Sequence, residues 1–225
     1  MIKAWLVQSG NESLTCNSAT DTLRRRARSM CLEKVPPTNI RDFILSTGKQ
    51  VFALSGYADT GYQEPDLMLA AVRQALSNRD PGQWIVQIGA TQGGVGAAYT
   101  VAKELGFTTL GIVSWLALEE HIKLSDSVDY VFFLEDACWG GRTDRHRLSP
   151  TSVAYVENGD EFLVIGGYAI AKDEILAAHE AGKPVQFIPA DMNHEIARTG
   201  KVLKVPLSPN DYKGLAHDTL IKIGS

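Results

Sequence analysis

The chain has 225 residues, a formal net charge of −4 and three cysteines, and these values exclude several classes of protein. Its 44% hydrophobic and 21% charged residues are typical of a globular domain with a sizeable core. The acidic balance argues against general affinity for nucleic acid or anionic membranes. Cys16, Cys31 and Cys138 are far apart and odd in number, which favours reduced thiols over a disulfide framework or a zinc site.

The sequence also carries no pattern for export or for a membrane anchor. Residues 1–10 lack the features of a signal peptide, and no apolar run reaches the roughly 18 residues that a membrane span needs. We therefore expect a cytoplasmic protein without a membrane or general nucleic-acid partner. The sequence predicts no metal site and no bound cofactor.

The first 48 residues differ from the rest, and we interpret them as an extension packed on a domain of residues 49–225. Residues 4–7 are apolar enough for a short strand, and a helical turn is predicted over residues 40–45. Residues 22–30 carry four arginines, and a short helix is expected there. These arginines form either a solvated helix face or part of a phosphate site or partner surface.

From residue 49 onward, short apolar strands alternate with helical patterns. Strands are predicted over residues 51–54, 84–88, 108–113, 130–134, 162–165 and 185–188, with an edge strand over 202–206. Helices are predicted from Pro65 to the turn at 78–82 and over residues 95–105, 116–123, 170–180 and 212–223. This alternation predicts a Rossmann-like α/β three-layer sandwich with a mainly parallel sheet. Ligands of such sheets bind beyond the carboxyl ends of the strands.

The first candidate site is the loop of residues 55–62, which connects a strand to a helix. Ser55 and Gly56 begin it, and Asp59 and Thr60 follow. Glycines let the backbone approach a ligand closely, and the helix N-terminus offers free N–H groups to a phosphate. Asp59 is interpreted either as a helix cap or as an acceptor for ribose hydroxyls. A tight turn without a ligand is the alternative for the whole loop.

The second candidate site is the loop of residues 89–96, which has four glycines in eight residues. Thr91, Gly93, Gly94 and Gly96 are its candidate ligand-binding residues. The loop is not a Walker A motif, because no Lys-Ser/Thr follows, and it does not fit G-x-G-x-x-G. No acid ends the next strand, so an NAD-linked oxidoreductase is the least supported hypothesis.

The third candidate site follows the predicted strand 162–165. Gly166, Gly167 and Tyr168 lead into a helix whose first turn is expected to carry Asp173 and Glu174. The two acids either complement the helix dipole or have a functional role, as acceptors of hydrogen bonds from ribose hydroxyls or as a general base.

A fourth loop, residues 139–147, adds an aromatic and a basic element. Trp139 is able to stack on a base, and Arg142 and Arg145 are able to grip phosphates in bidentate fashion. A solvated, exposed loop is the alternative.

These elements in this order resemble the SLOG superfamily, which includes the LOG-type, lysine decarboxylase-like phosphoribohydrolases and sensors of nucleotide-derived signals. The resemblance covers residues 51–189. It depends on Ser55-Gly56, on Gly93-Gly94-Val95-Gly96 at a helix start, on the run from Asp160 to Gly167, and on Lys183-Pro184-Val185. It implies a Rossmann-like nucleotide-binding domain, and related domains often form homodimers.

The sequence departs from the LOG signature Pro-Gly-Gly-x-Gly-Thr-x-x-Glu at Ile165, Ala169, Ile170 and Asp173. The leading hypothesis is therefore a sensor or sequestering domain that binds a nucleotide or nucleotide-derived small molecule through glycine-rich loops. The alternative is a LOG-like phosphoribohydrolase, a nucleotide N-glycosidase in which Asp173 and Glu174 act as acid and base.

Overall fold

A computed structural model of the chain describes residues 3–7, 40–144, 146–200 and 202–223. The strands are β1 (Lys3–Val7), β2 (Gln50–Gly56), β3 (Trp84–Ile88), β4 (Thr108–Ser114), β5 (Tyr130–Leu134), β6 (Glu161–Ile165) and β7 (Val185–Ile188). The α-helices are α1 (Ile40–Thr47), α2 (Pro65–Ser77), α3 (Ala98–Glu104), α4 (Leu116–Glu119), α5 (Pro150–Asn158), α6 (Ala169–Glu180), α7 (His194–Thr199) and α8 (Gly214–Ile223), and 3-10 turns cover Gly94–Ala97 and Pro209–Asp211.

The seven strands form one parallel sheet in the order β1-β5-β4-β3-β2-β6-β7. The predicted Rossmann-like α/β class is confirmed. Apolar side chains on alternate positions of the strands are buried on opposite faces, as in β2, where residues 51 to 54 are all at most 1% exposed. Burial on both faces explains why these strands have nearly continuous apolar sequences.

Helices cover both faces of the sheet and complete the three layers. On one face, α2 packs Met68, Val72 and Leu76 against Phe52 and Leu54 of β2. The spacing of three and four residues places these side chains on one side of the helix, and Pro65 occupies its first turn, where no N–H partner is needed.

The opposite face of the sheet is covered by two helical groups. Helix α1 packs Ile40 and Ile44 against β2, β3, β4 and β5, while α5, α6 and α8 cover β2 and β6. Strand β1 is an edge strand paired with β5, so the amino-terminal strand predicted at residues 4–7 is confirmed and belongs to the sheet. The division of the chain at residue 48 stays a prediction, and the arginine-rich segment 22–30 lies outside the described residues.

The strand order creates a crevice at one position. The chain runs from β2 outward to β3, β4 and β5, and then returns to place β6 on the other side of β2. The helices that follow β2 and β6 therefore pack on opposite faces of the sheet, and their connecting loops diverge. Such a topological switch point is where open α/β sheets bind ligands.

Three sequence predictions differ from the structure. The edge strand at 202–206 is wrong, because this segment forms turns behind α7, with Leu207 N–H donating to Ala197 O and Val205 largely exposed. The helix predicted over 116–123 ends at Glu119, and α5 and α7 were not predicted. Among the described residues, no helix combines the length and apolarity that crossing a bilayer demands.

Candidate functional site

A cavity of about 520 Å³ lies at the switch point, beyond the carboxyl ends of β2, β3 and β4 and beside the start of α6. Its wall is largely apolar, with Ile88, Ile112 and Val113 from the sheet and Trp139 from the loop after β5. A concave, mostly apolar site with a few polar groups is the usual form of a small-molecule site, and we name it the switch-point cavity.

The structure brings together some of the sequence-predicted site residues and not others. Ser55, Gly56, Thr91, Tyr168 and Glu174 line the switch-point cavity. The other predicted residues that the structure describes do not line it: they are Gly93, Gly94, Gly96, Arg142, Gly166, Gly167 and Asp173. Arg145 lies outside the described residues.

The glycines of the second loop allow two loops to pack closely. Gly94 has φ of +55°, and a Cβ on it would lie 2.1 Å from Tyr57 O and 2.2 Å from Ala58 O. The adjacent Val95 N–H donates to Tyr57 O at 2.7 Å, and the Gly96 N–H donates to Gly93 O. The amides of Val95 and Gly96 are thus used inside the protein.

The glycines after β2 and β6 have a similar packing role. A Cβ on Gly56 would lie 2.0 Å from the Tyr62 hydroxyl, which donates to Ile165 O and accepts from Tyr57 N–H. Gly166 has φ of +57° and faces the Tyr57 ring, while its N–H donates to Ile188 O. Close approach of loops therefore explains these glycines without a ligand.

Other amides at this end of the sheet have no partner within the described part of the chain. They belong to Gly93 and Gly94, to the residues of the β2 loop from Ala58 to Thr60, and to the first turn of α6 from Tyr168 to Ala171. Helix α6 has twelve residues and no side-chain cap, so its N-terminus retains both free donors and the positive end of its dipole. Several of these donors border the switch-point cavity.

Glu174 is the buried acid of the cavity. It and Asp173 lie beyond the first turn of α6, so the prediction that they stand in that turn is wrong. Glu174 is 7% exposed, and its Oε1 accepts a 2.7 Å hydrogen bond from the Ser152 hydroxyl. Burial raises the pKa of the Glu174 carboxyl to about 7, while the hydroxyls of Ser152 and Ser55 act in the opposite direction. A carboxyl group with this pKa is able to give or take a proton near neutral pH.

Asp173 has a different environment from its neighbour. Its carboxylate accepts the Arg142 N–H at 3.2 Å and forms ion pairs with the side chains of Arg142 and Lys172. Arg142, one of the predicted phosphate ligands, is therefore held against Asp173, where the two residues fix the loop after β5 to α6.

Helix α5 contributes cavity residues that were not among the predicted site residues. Thr151 and Tyr155 line the cavity from this helix, and Asp136 caps it by accepting the Thr151 N–H at 2.9 Å. The signal was present, because Ser149-Pro150 is a favoured pair at the cap and first position of a helix. Ser149 indeed accepts the Ser152 N–H at 3.3 Å.

No family model matches the chain, and no curated protein matches it. Solved structures do match. The molybdenum cofactor carrier protein of Chlamydomonas reinhardtii is 20% identical, with a TM-score of 0.45 over 62% of this chain and 76% of that one. The molybdenum cofactor binding protein of Rippkaea orientalis is 19% identical, with a TM-score of 0.47 over the same shares. The structural-genomics target TM1055 is 17% identical, with a TM-score of 0.46 over 77% of this chain and 97% of that one. These matches concern the α/β fold, and the cofactor named for two of them is a property of those proteins.

Proposed function

We propose that this protein is a SLOG-like sensor or sequestering domain that binds a nucleotide or nucleotide-derived small molecule in the switch-point cavity. The observation that carries the proposal is the position of this cavity. It lies where the loops after β2 and β6 diverge, and it combines an apolar wall with a buried acid and the start of α6. Ligands of open α/β sheets bind at this position for reasons of topology.

The chemistry of the wall suits a molecule with a flat ring and a polar end. Trp139 and Tyr168 offer aromatic faces, and Ile88 and Ile112 offer an apolar floor. The amides of the β2 loop and of the first turn of α6 are donors for the oxygen atoms of a sugar or a phosphate. The homodimer and the cytoplasmic location expected from the sequence remain predictions within this proposal.

We expect thermal stabilisation when purified protein is screened against nucleosides, mononucleotides, dinucleotides and cyclic ADP-ribose-type compounds. A ligand present at 100 times its Kd stabilises the folded state by about 2.7 kcal/mol, which raises the melting temperature by roughly 5–10 °C. Trp139→Ala should weaken the affinity for that ligand about tenfold, because stacking on an aromatic side chain is lost. Leu45→Ala, at a 61% exposed position outside the cavity, serves as the control. If no compound of this panel raises the melting temperature, the proposal is contradicted.

The buried carboxyl of Glu174 supports a second candidate function, nucleotide N-glycosidic hydrolysis. A buried carboxyl with a pKa near 7 has the property expected of a general acid or base at neutral pH. Asp173, the other predicted catalytic residue, does not line the cavity and is paired with Arg142.

Hydrolysis would release a free base from nucleoside monophosphates, which chromatography detects. If the protein is such an enzyme, Glu174→Gln should reduce turnover by at least a hundredfold, while Asp173→Asn should retain much of it. Equal turnover in the wild type and in Glu174→Gln would remove Glu174 from the mechanism, and absence of any product would leave binding as the function.

A further inference from the structure

The described lining of the switch-point cavity contains acidic side chains but no basic ones. Asp59, Glu120 and Glu174 line it, and the described lining residues include no lysine, arginine or histidine. Arg142, the described arginine predicted for phosphate binding, is paired with Asp173 outside the cavity. A phosphorylated ligand would therefore meet the exposed carboxylates of Asp59 and Glu120 without a cationic side chain of the described lining to balance its charge.

The inner wall also has buried hydroxyl groups that are poorly paired. Tyr155 is 4% exposed, and its hydroxyl lies beside the Ser55 hydroxyl without a hydrogen bond of good geometry. Thr151 is also 4% exposed, and its hydroxyl faces the Asp136 carboxylate without a hydrogen bond of good geometry. Buried polar atoms in proteins are nearly always hydrogen-bonded, so two poorly paired hydroxyls in one cavity wall are candidates for hydrogen bonds to a ligand.

Glu174 lies beside these hydroxyls and is held in position. The Gly141 N–H donates to the Ser152 hydroxyl at 2.7 Å, and this hydroxyl donates in turn to Glu174 Oε1. The fixed carboxyl and the hydroxyl of Ser55 form the polar part of the inner wall. Together these groups both donate and accept hydrogen bonds, as uncharged polar rings and sugar hydroxyls require.

We infer that the switch-point cavity takes an uncharged nucleoside in preference to the phosphorylated nucleotide, with Glu174, Tyr155 and Thr151 forming hydrogen bonds to its base or ribose. This inference rests on the proposed function, since it specifies the ligand class for the same cavity. The free amides of the β2 loop and of α6 then bind neutral oxygen atoms. Donors of this kind accommodate hydroxyl or carbonyl oxygens as well as anions.

Isothermal titration calorimetry with adenosine, guanosine, cytidine and uridine, each paired with its 5′-monophosphate, tests the preference directly. We expect at least one nucleoside to bind, and its monophosphate to bind at least tenfold more weakly. If a monophosphate binds as tightly as its nucleoside or more tightly, the inference is overturned while the proposed function stands. If no compound of this set or of the wider nucleotide panel binds, the proposed function fails and the inference fails with it.

Two conservative tyrosine variants separate binding from folding. Tyr155→Phe removes a hydroxyl that has no hydrogen bond of good geometry to the described residues, so the free protein should melt at the same temperature or a few degrees higher, whereas nucleoside affinity should fall about fivefold to tenfold. Tyr99→Phe is the matched control. Its buried hydroxyl donates to Leu110 O and accepts the Ala90 N–H, and Tyr99 does not line the cavity. This variant should lose about 5 °C in melting temperature and keep its nucleoside affinity.

Thr151→Val extends the test to the second hydroxyl with little change in side-chain shape. We expect it, too, to weaken nucleoside binding several-fold without lowering the melting temperature. Unchanged nucleoside affinity in both Tyr155→Phe and Thr151→Val would overturn the assignment of these hydroxyls to the ligand.

Discussion

Gly94→Ala should destabilise the protein by about 3–4 kcal/mol in urea denaturation. Gly94 combines a left-handed backbone conformation with direct contact between two loops, since an added Cβ would lie about 2 Å from Tyr57 O and Ala58 O. The left-handed conformation alone costs an alanine about 1–2 kcal/mol, and forcing an additional carbon into a packed region costs about 1–3 kcal/mol. The obstacle is backbone, which cannot move aside by a change of rotamer.

Gly61→Ala is the matched control for this experiment. Gly61 has φ of +59°, close to the +55° of Gly94, but no atom lies within 4 Å of its would-be Cβ. Its replacement should therefore cost only about 1 kcal/mol, the conformational part. Equal destabilisation by the two substitutions would show that loop contact does not explain Gly94.

Glu174→Gln should change the pH dependence of stability. The pKa of Glu174 is raised from 4.5 to about 7 in the folded protein. Below pH 4.5 the carboxyl is protonated in both the folded and the unfolded states. Between pH 4.5 and about 7 the unfolded chain releases the proton while the folded protein retains it, so the contribution of Glu174 to stability falls as the pH rises. The loss is complete above pH 7 and is on the order of 3 kcal/mol.

A glutamine side chain at this position cannot ionise, so the variant escapes this loss. We expect Glu174→Gln to match the wild type near pH 4 and to be more stable by about 2–3 kcal/mol at pH 8, as measured by urea denaturation at each pH. Glu104→Gln, which breaks an exposed ion pair with Arg73, should differ from the wild type by less than about 1 kcal/mol at both pH values. If the free energies of unfolding of Glu174→Gln and the wild type differ by the same amount at every pH, the raised pKa of the Glu174 carboxyl is contradicted.

The fold could be predicted from the sequence where local pattern and tertiary packing agree. The apolar strands 51–54 and 84–88 and the helix that begins at Pro65 are read directly from hydrophobic periodicity. The edge strand at 202–206 was predicted from apolar residues alone. Leu203 and Val202 instead line the switch-point cavity, a tertiary role that a strand pattern does not reveal.

The candidate site was predicted less completely, for a physical reason. A glycine cluster indicates that the backbone approaches something closely, but not whether that is a ligand or another loop. At Gly56, Gly94 and Gly166 the close neighbour is the protein itself. The cavity wall on α5 could not be recognised in the same way, because Thr151 and Tyr155 are brought beside Glu174 only by the crossover from β5 to β6.

Amide chemical-shift mapping by NMR, with the tightest-binding nucleoside or nucleotide added to isotope-labelled protein, tests the central claim most directly. The proposal predicts that the largest shifts occur in the β2 loop from Ala58 to Thr60, at Thr91, and in the first turn of α6 from Tyr168 to Ala171. A second cavity of about 420 Å³, lined by Gln63, Asp191 and His194, provides an internal comparison. Shifts confined to that second cavity, or to no cavity at all, would contradict ligand binding at the switch point.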